Sequence, residues 1–159
     1  MKNAKSQWKT YLFWVALAEG IGLLAGVLTR EATALYSRMT VKPPLSPPAW
    51  IFPVVWTVLY ALMGISAAKV SLKQESRARS RGLNIFVAQL IVNFFWSLIF
   101  FNARAYGFAL VWLLLLWTLI VWMIYAFGKV DRRAALLQIP YLLWVTFAAY
   151  LNYGVWKLN

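Results

Sequence analysis

Gln89, Asn93, Trp96 and Phe100 fall at i, i+4, i+7 and i+11, which places two amides and two aromatic rings on one face of a helix. Phe52, Trp56 and Tyr60 repeat every four residues, and so do Pro140, Trp144, Ala148 and Asn152, where the small Ala148 leaves space beside the Trp144 ring. Three such faces can converge on one cavity. Stacking surfaces with a few amide donors suit a flat, conjugated ligand. The same amides could instead only tie helices together, a common use of Asn and Gln inside membrane bundles. The sequence has no cysteine and no histidine, which removes disulfides, the usual zinc sites, Cys or His nucleophile systems and a His or Cys axial ligand to haem iron. The missing histidine thus favours a metal-free ligand, no cofactor is required, and no acid/base pair for catalysis is apparent.

The elements that carry these faces are membrane spans. Of 159 residues 63% are hydrophobic and 13% charged, and the mean hydropathy is +0.67, outside the range of ordinary soluble domains. A hydrocarbon core of about 30 Å needs about 20 helical residues. Runs of that length predict spans at 10–29, 48–68, 82–103, 105–128 and 134–156, the first interrupted only by Glu19. The first run is too long for a signal peptide and lacks a small-residue cleavage site. The expectation is an all-α membrane protein: one domain over 1–159, a five-helix bundle with a long lid loop over 30–47.

Basic residues in the connections predict orientation. Lys2, Lys5 and Lys9, the cluster Lys69, Lys73, Arg77, Arg79 and Arg81, and the group Lys129, Arg132 and Arg133 make eleven on one side, against Arg30, Arg38, Lys42, Arg104 and Lys157 on the other. The N-terminus is thus expected in the cytoplasm and the C-terminus opposite. The net charge of +12 sits in short clusters between apolar spans, which fits anionic lipid headgroups and not nucleic acid.

The stretch Lys42 to Tyr60, KPPLSPPAWIFPVVWTVLY, ends the lid and opens the second span. Pro43, Pro44, Pro47 and Pro48 disfavour helix, so the chain is expected extended or turned, with the helix starting near Ser46 or Pro47 and Trp50 available as an interface anchor. Trp8, Trp14 and Trp156 near span ends read as interface anchors too, while Trp112, Trp117 and Trp122 could face lipid, protein or a partner subunit. Ala18, Gly22 and Gly26 form a small-residue stripe that permits close helix contact. Leu151, Tyr153 and Lys157 fit a loose cholesterol-contact pattern that an aromatic belt with a snorkelling lysine explains equally well.

The segments KPPLSPPAWIFPVVWTVLYALMG (Lys42 to Gly64), AQLIVNFFWSLIFF (Ala88 to Phe101) and IPYLLWVTFAAYLNYGVWKLN (Ile139 to Asn159) together resemble the TspO/MBR family of translocator and tryptophan-rich sensory proteins, once called peripheral benzodiazepine receptors. Leu45 stands where that family often has tryptophan. The resemblance implies a five-helix bundle whose first loop covers a pocket for protoporphyrin-type tetrapyrroles and for benzodiazepine and isoquinoline ligands. It also implies a homodimer, sterol contact on the fifth helix as in animal members, and a role in transport, sensing or porphyrin breakdown. The candidate ligand-binding residues are Tyr36 in the lid, Trp50 at the start of the second span, Phe52, Trp56, Tyr60, Gln89, Asn93, Trp96, Trp144, Ala148 and Asn152. Two rival readings are a small proton-coupled multidrug exporter using Glu19, and a porphyrin-degrading membrane enzyme.

Overall fold

The computed structural model describes residues 4–159; Lys2 lies outside them. The described residues form α1 (Ala4–Leu28), α2 (Arg30–Met39), α3 (Ile51–Ser71), α4 (Arg77–Ser97) continued by a π-helical turn (Leu98–Asn102), α5 (Tyr106–Gly128), α6 (Arg132–Leu137) and α7 (Ile139–Leu158). Five helical segments are long and apolar enough to cross a membrane: Ser6–Leu28, Ile51–Ser71, Arg77–Asn102, Tyr106–Gly128 and Arg132–Leu158. The all-α five-span architecture expected from hydropathy is the one the chain adopts.

Local chemistry moves several boundaries. The lid is not wholly a loop: its first ten residues are α2, with Glu31 in the first turn and Arg38 in the last, each complementing the helix dipole. Helix α3 starts at Ile51, a few residues later than expected, after the proline run has ended. Helix α4 starts at Arg77 instead of 82, because the Ser76 hydroxyl accepts from the Arg79 N–H and caps the helix ahead of its arginines. A search for charge-free runs cannot see such a polar first turn. The fifth span is divided at Gln138. Asp131 caps α6 by accepting from the N–H groups of Arg133 and Ala134, and Pro140, which has no N–H to continue the ladder, sits in the first turn of α7.

Around the bundle α1 lies on α3 and α4, α4 on α5, and α5 on α7, while α3 meets α6 and α4. Met63, Phe86, Leu113, Ile120, Phe127 and Val145 fill the centre, each at most 1% exposed. With water absent, side-chain hydrogen bonds between helices hold the bundle alongside packing. Trp14 Nε1 donates to Ser71 Oγ (3.1 Å), Ser66 Oγ to the Ala134 carbonyl (2.7 Å), Trp112 Nε1 to the Val92 carbonyl (2.7 Å) and Trp117 Nε1 to Thr146 Oγ1 (2.9 Å). Trp14 and Trp112 thus join helices from half-buried positions, and Trp117 joins α5 to α7. Of the small-residue stripe, Ala18 is buried and Gly22 lies directly under the Tyr60 ring, so both serve the α1–α3 contact, whereas Gly26 faces open space.

Candidate functional site

The centre of the bundle holds a hydrogen-bond chain drawn from α3, α4 and α7. The Tyr60 hydroxyl donates to Asn93 Oδ1 (2.7 Å), Asn93 Nδ2 donates to the Tyr141 hydroxyl (2.7 Å), and that hydroxyl donates to Gln89 Oε1 (2.7 Å). All four side chains are buried. Because both hydroxyl protons are committed in the same direction, the chain runs one way and ends on the Gln89 amide, whose Nε2 is buried with no partner among the described residues. A buried amide donor left unpaired costs about 1–3 kcal/mol, so this end of the chain is primed for an acceptor.

Rings wall the chain. Trp56 packs on Tyr60 (centroids 5.6 Å) and edge-on to Tyr141 (6.3 Å), and Phe52 meets Trp144 edge-on (5.8 Å). Helices α3 and α7 make little close backbone contact, and these rings occupy the space between them. Ala148, 8% exposed, lies one turn beyond Trp144.

Towards the lid, Trp96 Nε1 donates to Asn152 Oδ1 (3.1 Å), and Asn152 Nδ2 donates to the Tyr106 carbonyl (2.8 Å). The π-helical turn after α4 fits an extra residue into its turn. There Phe100 stacks on Trp96 (5.0 Å), and Phe100 and Phe101 both touch Tyr36 of α2 (5.5 and 5.3 Å). Burial, and to a lesser degree Tyr106, pushes the Tyr36 phenol up to about 12, so this contact of the lid stays neutral. Beyond α2 the lid is strapped to α7. Asn159 accepts from the Val41 N–H (3.1 Å) and donates to its carbonyl (2.8 Å), Tyr150 donates to the Pro44 carbonyl (2.7 Å), and Pro43 lies on Gly154, where a Cβ would collide with its ring. Ser46 Oγ closes the proline turn onto the Pro43 carbonyl (2.7 Å), with Leu45 at φ 69° and 81% exposed. An open groove of about 880 Å³ between α4 and α5 lies at the other end of the bundle.

The sequence model of the TspO/MBR family matches residues 12–157. The chain belongs to the TspO/MBR family. It is similar to the tryptophan-rich protein TspO of Chlorobaculum tepidum, 37% identical over 94% of this chain and 96% of that protein. The tryptophan-rich sensory protein of Cereibacter sphaeroides is 36% identical over 96% and 92%, and the human translocator protein 38% identical over 90% and 86%.

In this TspO/MBR member the predicted residues separate into three places. Tyr60, Gln89, Asn93 and Trp56 form the central chain and its wall, and Phe52, Trp144 and Ala148 line the α3–α7 seam. Trp96, Asn152 and Tyr36 join the aromatic knot under the lid. Trp50 stands apart, 67% exposed just before α3. The stripe Pro140, Trp144, Ala148, Asn152 does not share one environment. Pro140 is exposed, Trp144 half-buried and the other two buried, because a strict four-residue step drifts about 40° per step around a helix. The residue this spacing missed is Tyr141, 1% exposed and central to the chain; Tyr141, Val145, Ala148 and Asn152 at i, i+4, i+7, i+11 trace the inner face. The sterol pattern is likewise split: Leu151 is buried, whereas Tyr153 is exposed with the Lys157 ammonium 5.8 Å from its ring.

Proposed function

We propose that this protein binds a planar, metal-free tetrapyrrole of the protoporphyrin type between α3, α4 and α7, and acts in tetrapyrrole transport or stress signalling. The observation that carries the reading is the unpartnered Gln89 amide at the end of a one-way hydrogen-bond chain, inside a wall of tryptophan and tyrosine rings. An acceptor on the ligand, a propionate oxygen or an unprotonated pyrrole nitrogen, would take the free donor. Trp56 and Trp144 would cover the macrocycle faces. The ligand enters by displacing rings from the α3–α7 seam, and the strapped lid then covers it. The relatives' names, sensory protein and translocator, accord with this reading.

Titration of the purified protein with protoporphyrin, read by quenching of tryptophan fluorescence, tests it. Saturable quenching is expected, and about tenfold weaker binding in Gln89→Leu, which comes close in volume and removes the free donor together with the acceptor of the Tyr141 hydroxyl. Quenching that never saturates, or equal affinity in the folded variant, would defeat the reading.

Orientation belongs to the same proposal: the end with eleven basic residues faces the cytoplasm. Reporter fusions should report Lys2 as cytoplasmic and Asn159 as not; the reverse pattern would invert the topology.

A further inference from the structure

We propose that the groove between the start of α4 and the end of α5 binds one anionic phospholipid. It is an open groove of about 880 Å³, and a smaller hollow of about 140 Å³ beside it shares Arg77, Arg81 and Trp122. Arg77 and Arg81 stand on successive turns of α4, and Lys129 follows α5, its ammonium 4.5 Å from the Tyr125 ring. Among the described residues none of these three bases has an ion-pair partner. The acid at the rim is Glu75, whose carboxylate lies 3.8 Å from Arg79 on another face of α4. Two bases against one acid at the groove, with Lys129 in the adjoining hollow, leave its mouth positive.

The lining then changes character along the helices. Ser80 lies between the two arginines and Asn84 beyond them, and the groove ends on Ile85, Ala88 and Leu119. From Arg81 to Ala88 is about 10 Å along α4, the distance over which a bilayer passes from phosphate to acyl chain. Trp122 and Tyr125, 51% and 64% exposed, stand at the level where aromatic belts meet headgroups. The outer surfaces beside the groove, Val87, Ile91 and Val121, are exposed and apolar, so the opening faces the bilayer. A free phosphate ion would use the arginines and gain nothing from the apolar floor. A zwitterionic lipid would bring its own cation against Arg77, Arg81 and Lys129. A phospholipid with net negative charge matches both the mouth and the floor. The other bases at this end differ: Lys73 lies 3.7 Å from Asp131, and Arg132 and Arg133 are exposed in the first turn of α6, outside the groove.

The test uses the full chain in detergent micelles, with native mass spectrometry counting retained lipid and a melting curve reporting stabilisation. Dioleoyl phosphatidylglycerol should be retained at one molecule per chain and raise the melting temperature, and dioleoyl phosphatidylcholine should do neither. Arg77→Gln with Arg81→Gln should weaken retention about thirtyfold, and Arg132→Gln with Arg133→Gln less than twofold. Leu119→Trp, which fills the floor and keeps every charge, should also weaken it, so the proposal stays testable if the arginine double variant fails to fold. Equal effects of the two lipids, equal losses in the two double variants, or stabilisation by inorganic phosphate alone would overturn the proposal. So would a Leu119→Trp protein that loses self-association and keeps lipid, since the groove would then hold a second copy of the chain.

Discussion

Helix α3 has two seams built on opposite principles. Against α1 it packs backbone on backbone: a Cβ on Gly64 would lie 2.7 Å from the Val15 nitrogen, and the Tyr60 ring rests on Gly22. Against α7 it packs ring on ring, with Phe52 on Trp144 and Trp56 on Tyr141. Close-packed backbones have one arrangement and no slack. Aromatic side chains can turn about χ1 and χ2 and exchange their contacts with each other for contacts with a flat guest. In the proposed binding mode the first seam sets the frame, and the second is the one that opens.

The largest effect expected is at Gly64. Gly64→Val drives a branched side chain into the backbone of α1, and overpacking of this kind costs about 3 kcal/mol. Melting temperature in detergent and protoporphyrin affinity should fall together. A folded Gly64→Val protein with unchanged melting would mean that the α1–α3 seam has slack after all. Next in size is Ala148→Leu on the other side. It should reduce affinity by more than about tenfold through occupied space, while melting moves only a few degrees. Retained affinity in that variant would place the ligand elsewhere. Trp144→Ala should weaken binding about tenfold by removing a stacking partner. If melting instead collapses while the surviving folded fraction binds normally, the α3–α7 rings are frame as well, and the contrast between seams disappears. Smallest is the lid. Replacing Pro43, Pro44, Pro47 and Pro48 with alanine adds freedom that closure must remove, so affinity should drop a few-fold with the helices intact by circular dichroism. An unchanged dissociation constant would reduce the proline run to a connector.

What the sequence by itself determined is the part governed by length and composition: five spans, their order, and the amide and aromatic stripes of α3 and α4. Hydropathy responds to the bilayer one residue at a time, and helical spacing follows from a fixed rise and turn, so neither needs a tertiary partner. Polar helix ends escaped it, because α2 and the first turn of α4 form from caps, dipole complements and docking on Phe100 and Phe101, not from apolar runs. The identity of the central residues was decided only by the tertiary structure. Nothing local marks Tyr141 above Tyr150 or Tyr153. It became the middle of the chain because α7, restarted after Gln138 by Pro140, presents that hydroxyl within 2.7 Å of both Asn93 and Gln89. Which of the two α3 seams is tight was settled in the same way. A glycine in a sequence does not say what approaches it, and only the packed bundle puts the α1 backbone at Gly64 and leaves rings to fill the gap towards α7.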